Sequence, residues 1–274
     1  PRICRVNRWE DEKGFCGAGR RAVVSSYNLH FGEEPPISGY RGSGTIFFTH
    51  CNLRCCFCQN YPISQLGNGQ EVEAGEVARM MVRLQKLGAH NINFVTPTHF
   101  VPQIVEALEL AIKEGLKIPL VYNSGGYDSL ETLELLDGIV DIYMPDAKYS
   151  DPESGRKYSR AADYFEVNKK ALLEMHRQVG DLKMDKEGIA KRGLLVRHLV
   201  LPEDIAGSRK VLEFIAKNIS QDTYMSIMAQ YHPAHLAFEF PELSRRISKK
   251  EYDAVLKIAD ELGLERGWRQ ELWG

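Results

Sequence analysis

Four of the six cysteines fall within eight residues, in the run His50-Cys51-Asn52-Leu53-Arg54-Cys55-Cys56-Phe57-Cys58. Cys51, Cys55 and Cys58 are spaced Cys-x-x-x-Cys-x-x-Cys directly after the apolar run Thr45-Ile46-Phe47-Phe48. One tight loop at the end of a strand therefore delivers three thiols to one place, at small entropic cost. Thiolates bind soft metals such as zinc or the irons of an iron-sulfur cluster. A structural zinc site asks for four closed ligands, usually as two separated pairs, and no cysteine follows Cys58. Three thiolates suit a four-iron cluster that keeps one iron open for another ligand. Cys56 is a further thiol, but it adjoins Cys55, and neighbouring side chains on a tight loop rarely converge on one cubane. A zinc knuckle and an inert buried trio are the alternatives.

The elements that must position this loop repeat as strand, loop and helix from residue 45 onward. Val77, Met80, Met81, Leu84 and Leu87 recur at helical spacing up to Gly88, and Val101, Ile104, Val105, Leu108 and Ala111 do so before Gly115. Helices are also expected at Leu130–Leu136, from about Phe165 to Val179, at Ser208–Ile219, and after the capping box Ser248-Lys249-Lys250-Glu251. Strands are expected at Asn91–Val95, Ile118–Tyr122, Ile139–Met144, Leu194–Leu201 and Tyr224–Ala229, with residues 149–163 irregular and 180–193 a hairpin or excursion. Such alternation implies parallel strands with right-handed crossovers. At about 31 residues per unit, six units fit the length between Thr45 and Tyr231, whereas eight need ~250 residues. The expected fold is α/β, a partial six-unit (β/α)6 TIM-like barrel. A flat doubly wound sheet is the alternative.

The division expected is an N-terminal extension, 1–44, before a barrel with a C-terminal helix, 45–274. The extension carries Cys4 and Cys16, which are either half of a metal site or two free structural thiols. In barrels of this kind the working face is the C-terminal end of the strands. There stand the cysteine loop, then Thr96-Pro97-Thr98-His99, Asn123-Ser124-Gly125-Gly126, Asp146-Ala147-Lys148, Arg197-His198 and Gln230-Tyr231-His232. Asn123 and Ser124 suit ribose hydroxyls, Lys148 or Arg197 a carboxylate, and Gly125 and Gly126 a close backbone approach to a ligand.

At the cysteine loop the chain resembles the radical SAM superfamily, whose signature Cys-x-x-x-Cys-x-aromatic-Cys is matched by Cys51, Cys55, Phe57 and Cys58. The resemblance implies a [4Fe-4S] cluster on the three cysteines. Its open iron would chelate S-adenosyl-L-methionine, whose reductive cleavage yields a 5'-deoxyadenosyl radical for hydrogen abstraction. Phe57 would pack near the adenine; its plainer reading is a core aromatic. Within the superfamily the chain is similar to the activating enzymes of glycyl radical enzymes, such as the pyruvate formate-lyase activating enzyme. Asp146-Ala147-Lys148, Arg197 and Tyr231-His232 match positions that lie around the bound cofactor in that group. The implied partners are a reductant such as flavodoxin or ferredoxin and a glycyl radical protein. A small molecule or another peptide is the alternative substrate, and a non-catalytic iron-sulfur or zinc-binding scaffold is a reading of another class.

The chain departs from that group after its second strand. Thr96-Pro97-Thr98-His99 replaces a glycine-rich acidic motif, so Thr96 and Thr98 must meet the cofactor's amino group, with His99 facing substrate or cofactor. Gly32-Glu33-Glu34-Pro35 has a similar composition but precedes the first barrel strand, and reads as a turn.

Composition sets outer bounds. The 274 residues, 43% hydrophobic and 26% charged, are those of a globular protein with a substantial core. A net charge of -2 gives no pull toward nucleic acid or anionic membrane. No apolar run approaches the roughly 18 residues of a membrane span. There is no signal peptide, and the chain starts without methionine. The clustered cysteines read as metal ligands in a reducing cytoplasm rather than a disulfide framework.

Overall fold

The computed structural model describes residues 1–272. Its sheet begins before Thr45. Ala22–His30 (β1) pairs antiparallel with Ser43–Phe48 (β2), Tyr27 opposite Ile46, and Gln70–Val72 (β3) adds antiparallel to the other edge of β1. From β2 the sheet runs parallel through Ile92–Val95 (β4), Leu120–Asn123 (β5), Ile142–Tyr143 (β6), Ala190–Leu199 (β8) and Tyr224–Met228 (β9) to Gly267–Arg269 (β10). Lys183–Met184 (β7) folds back antiparallel on β8, within the hairpin expected at 180–193. Among the described residues the strands number ten, with β3 and β10 at the two edges, so the barrel is open.

Two short helical turns, Pro35–Ser38 (α1) and Tyr61–Ser64 (α2), lie in the loops beside β2. The crossovers are Ala74–Lys86 (α3), Val101–Lys113 (α4), Leu130–Leu135 (α5), Tyr164–Val179 (α7) and Ser208–Asn218 (α8). Lys249–Glu261 (α9) opens on the expected capping box, with the Ser248 side chain accepting from the Glu251 amide. Strand residues alternate between two faces. Ile46, Phe48, Ile92, Phe94 and Leu120 point outward into one core with Val77, Met81, Leu84, Ile104 and Leu108. Each such side chain contributes about 1.5–3 kcal/mol on burial.

The inward face has a different character. Val121, Ile142, Met144, Leu195 and Tyr224 meet Ile37 of α1, which closes the lumen from the N-terminal end of the strands. The helices cover the outside and the sheet encloses its own lumen, which makes this a partial barrel and not a flat doubly wound sheet.

Besides the short elements β3, α1 and α2, which nothing in the sequence announced, two more differ from expectation. Residues 149–163 contain an eight-residue helix, Pro152–Ser159 (α6). Asp151 caps it by accepting from the Ser154 amide at 2.9 Å, and Pro152 takes the first helical position, where its missing N–H costs nothing. Gly155 disguised it, yet glycine is required there, since a Cβ would sit 2.4 Å from the Ala161 carbonyl. The second addition is β10, three residues with no alternation to announce them.

Candidate functional site

The cysteine loop leaves β2 through His50, which takes a left-handed φ of 64°. Its ring lies between two glycines: a Cβ on Gly17 would meet His50 Nδ1 at 3.2 Å and one on Gly67 would meet Cε1 at 2.6 Å. The loop backbone is held at several points. The His50 amide donates to the Ile63 carbonyl (2.9 Å), the Arg54 amide to Ser159 (3.1 Å) and the Cys56 amide to Tyr158 (2.8 Å), while the Cys56 carbonyl accepts from Leu236 (2.8 Å). Asn52 Nδ2 donates to the Tyr127 carbonyl at 2.6 Å. The unexpected helix α6 is thus the brace of the loop.

Each sulfur has at least one protein partner. Cys51 Sγ accepts from the Leu53 amide at 3.4 Å and Cys55 Sγ from the Ser159 hydroxyl at 3.0 Å; Cys58 Sγ and the Ser64 hydroxyl share a hydrogen at 3.1 Å. Burial, with the neighbouring Cys55, pushes the Cys51 thiol up to about 12. Burial raises Cys55 as well, opposed by the Lys148 ammonium. Metal binding here must displace protons and is favoured at higher pH. Among the described residues no three His, Cys, Asp or Glu side chains are placed to hold a single metal ion; a cubane takes a thiolate at each of three separate corners. Cys55 is buried and Cys51 and Cys58 are partly buried, each sulfur has a hydrogen-bonding partner, and the Lys148 ammonium faces Cys51 and Cys55, a donor set that fits an anionic thiolate-ligated cluster. Cys56 stands apart, near Glu239 and Glu242.

The strand ends behind the loop carry a charged network. Arg197 donates through Nε to Asp146 Oδ1 (2.9 Å) and through a terminal nitrogen to Asn123 Oδ1 (2.7 Å), and Lys148 Nζ meets Asp146 Oδ2 at 2.5 Å. Burial pushes the Asp146 carboxyl up, but Arg197 and Lys148 outweigh it and hold it below the carboxylate range. Lys148 loses to burial less than it gains from Asp146 and Cys55, so its ammonium is stabilised. The Tyr164 hydroxyl accepts from the Lys148 amide (3.1 Å) and lies 2.9 and 3.0 Å from the carbonyls of Gly125 and Asp146, joining two strand-end loops. The Thr96 amide donates to the Asn123 carbonyl at 2.8 Å. Thr96 is β-branched with a φ of 58°, a costly conformation that points to a position fixed by its surroundings.

Other residues singled out by the sequence lie elsewhere. Ser124 and Thr98 spend their hydroxyls on Asp128, each at 2.7 Å, where Tyr122 joins them at 2.9 Å. His99 is buried, with its Nε2–H donating to the Thr49 carbonyl at 2.7 Å, and burial lowers its pKa to about 3. Phe57 packs edge-on against Tyr149 and Tyr231, as the plain core reading has it. His232 accepts through Nδ1 from Gln59, the residue after Cys58, at 3.2 Å. Gly126 serves the protein and not a ligand: a Cβ there would meet the Asp146 carbonyl oxygen at 1.9 Å.

Two acidic residues escaped sequence reasoning. Asp128 had no motif around it. Glu33 belongs to the string read as a turn, and irregular backbone is what the structure has there. The chain, however, carries that turn into the lumen from the N-terminal end of the strands. Glu33 Oε1 accepts from Asn93 (2.9 Å), and its other oxygen lies 3.8 Å from Arg197. Burial, only partly offset by Arg197, raises its carboxyl to about 7.

With this geometry in hand, comparison with known proteins is specific. Residues 45–185 match the Radical SAM superfamily. Over 271 residues the chain is 33% identical to the uncharacterized protein MJ0674 of Methanocaldococcus jannaschii, covering 96% of this chain and 73% of that protein. Among solved structures it is similar to native anSMEcpe with bound AdoMet, at a TM-score of 0.52 and 15% identity over 83% of this chain and 59% of that one. It is similar also to the FeFe-hydrogenase maturase HydG from Carboxydothermus hydrogenoformans, at 0.52 and 13% over 77% and 49%. At such identities the likeness is one of fold, and this chain spans about half to three-fifths of those solved chains. No helix among the described residues is long and apolar enough to cross a membrane. The chain belongs to the radical SAM superfamily, whose cofactors are a [4Fe-4S] cluster and S-adenosylmethionine.

Proposed function

We propose that Cys51, Cys55 and Cys58 hold the cluster, and that Thr96, Asn123, Asp146, Lys148, Arg197 and His232 surround S-adenosylmethionine. When bound, the two cofactors supply a one-electron reductive cleavage that ends in abstraction of a substrate hydrogen atom. The side chains prepare the place. Arg197 and Lys148 bring two cations to one ionised carboxylate, Asp146, and the Asn123 amide adds hydrogen-bonding capacity beside them. Protonation of Glu33 removes one of the negative charges facing Arg197, which suits a zwitterion's carboxylate. Phe57, Tyr149 and Tyr231 form an aromatic wall behind the loop that limits solvent access. The N-terminal extension, 1–44, contributes Glu33 to this group, and the barrel, 45–274, contributes the rest.

The observation that carries this reading is the set of three sulfurs, each with a hydrogen-bonding partner, on a loop braced beside Lys148. Activation of a glycyl radical protein is the finer reading; it rests on Asp146-Ala147-Lys148, Arg197 and Tyr231-His232 matching that group, with a flavodoxin or ferredoxin as reductant in a cytoplasmic setting. Anaerobic reconstitution and assay of 5'-deoxyadenosine provide the test. Cys51→Ala, Cys55→Ala and Cys58→Ala should each abolish the product, while Cys56→Ala retains most of it. Product formed by all three single variants would refute the assignment. A stable glycyl radical signal, upon mixing with a candidate partner under reduction, would decide the finer reading.

A further inference from the structure

A cavity of about 360 Å³ lies between the N-terminal segment and the leading ends of α4 and α5. Its size is within the range of small-molecule sites. Arg2, Arg5 and Arg8 line it, with Ser129 and Thr132, and no Asp or Glu does.

None of the three arginines is paired with a carboxylate among the described residues. Arg2 donates to the carbonyls of Asn52 (3.0 Å) and Arg160 (2.7 Å), and Arg8 to the His99 carbonyl (2.5 Å) and Cys16 Sγ (3.0 Å), all neutral acceptors. Arg5 is exposed, on a backbone with φ of 53°, and makes no side-chain hydrogen bond or ion pair among the described residues. Val101 and Pro102, which open α4, form part of the wall. This 13-residue helix has no side-chain cap, since Phe100 stands at the capping position. The positive end of its dipole adds to the same field. His99, also in the wall, is neutral and adds no charge. The carboxylate behind the wall, Asp128, is occupied by three hydroxyls.

We propose that this cavity binds the phosphate group of a small phosphate monoester. A carboxylate has two oxygens to offer; three guanidiniums call for the three terminal oxygens and double charge of a phosphate. The remaining volume accommodates a small organic group. The ligand would bear on the metal loop, because Arg2 ties the N-terminal segment to the Asn52 carbonyl, next to Cys51. This inference rests on the cavity alone and does not require the radical chemistry.

The test is calorimetric titration of the full chain, cluster reconstituted, with inorganic phosphate, glycerol 3-phosphate and acetate at constant ionic strength. Saturable one-to-one binding of both phosphates, with acetate at least about tenfold weaker, is expected. Tighter binding of glycerol 3-phosphate than of inorganic phosphate identifies an esterified ligand; the reverse order overturns the monoester and leaves a simple ion site. Arg5→Ala should weaken binding about tenfold and Arg5→Glu should abolish it, and because Arg5 holds no other part of the chain, both variants should keep the wild-type melting temperature. No saturable binding, equal binding of acetate, or affinity indifferent to Arg5→Glu would overturn the proposal.

Discussion

Asp146 and Asp128 are two carboxylates of the same barrel, their partners drawn from β5, β8 and the loops after β4, β5 and β6, yet they are satisfied in opposite ways. Asp146 faces two cations, Arg197 and Lys148, and is held below the ordinary carboxylate range. Asp128 is 1% exposed and faces three hydroxyls, those of Thr98, Tyr122 and Ser124, which only partly offset its burial, so that its carboxyl is raised. Hydroxyls can follow either protonation state of a carboxyl, as donors or acceptors, whereas cations demand the charge. The first arrangement leaves positive charge at the rim for a ligand to use. The second closes on itself and holds the loop after β5 in place.

The comparison breaks most visibly at Asp146. Asp146→Ala leaves two largely buried cations without their carboxylate, a loss of about 3–5 kcal/mol, to be read by urea unfolding at pH 7. The Asp146 contribution is present above the unfolded carboxyl value and disappears as pH falls through its depressed folded value, so wild type and variant should converge in acid. For Asp128 the sign is reversed: its contribution is greatest below the unfolded value and is lost as pH rises through its raised folded value. Asp128→Asn should therefore be neutral or stabilising by about 1 kcal/mol at pH 7, and relatively worse in acid. A loss at Asp128 equal to that at Asp146 would erase the distinction.

These two aspartates also mark how far the sequence could be read. The alternation of strand and helix, the barrel class and the capping box of α9 were legible, because outward residues such as Ile46, Phe48, Ile92 and Phe94 carry an uninterrupted apolar periodicity. The cysteine loop was legible from spacing alone. What was not legible depends on side chains meeting across the fold. Thr98 and Ser124 have the right chemistry at the right strand ends, but nothing local to them reveals that Asp128 takes both hydroxyls. Glu33 lies before the first parallel strand, and its arrival beside Arg197 requires the turn at α1 to enter the lumen from below. The helix α6 was hidden by its polar composition, although Asp151-Pro152 is a sound helix start.

Glu33 sharpens the comparison as an intermediate case, a carboxyl near one cation that has a nearer anion. Asn93, Asn123, Arg197, Glu34 and Asp146 are the groups that face it, and its value of about 7 lets it change charge in the working range. Below that value it is neutral and Arg197 is freer to meet a cofactor carboxylate; above it, the added negative charge competes. Affinity for S-adenosylmethionine should fall about fivefold between pH 6 and pH 8, on the order of 1 kcal/mol for a charge at this distance and effective dielectric. Glu33→Gln should remove that dependence and keep the tighter binding throughout. A pH profile unchanged in the variant would show that the titrating group lies elsewhere.

The smallest expected effect is at Cys55, where both kinds of partner act on one sulfur: the Ser159 hydroxyl at 3.0 Å and the Lys148 charge. A donor to a cluster sulfur favours the reduced, more negative state, so removing it should lower the reduction potential. Ser159→Ala removes one hydrogen bond of about 0.5–1.5 kcal/mol, which for one electron is about 20–60 mV. Lys148→Met removes a full charge that Asp146 already partly neutralises, and should move the potential further in the same direction while weakening cofactor binding. Redox titration followed by electron paramagnetic resonance separates the two, since Ser159→Ala should leave cofactor affinity unchanged. If Ser159→Ala shifts the potential as far as Lys148→Met does, the hydroxyl and not the cation sets the environment of Cys55, and the contrast drawn between the two aspartates does not extend to the sulfur.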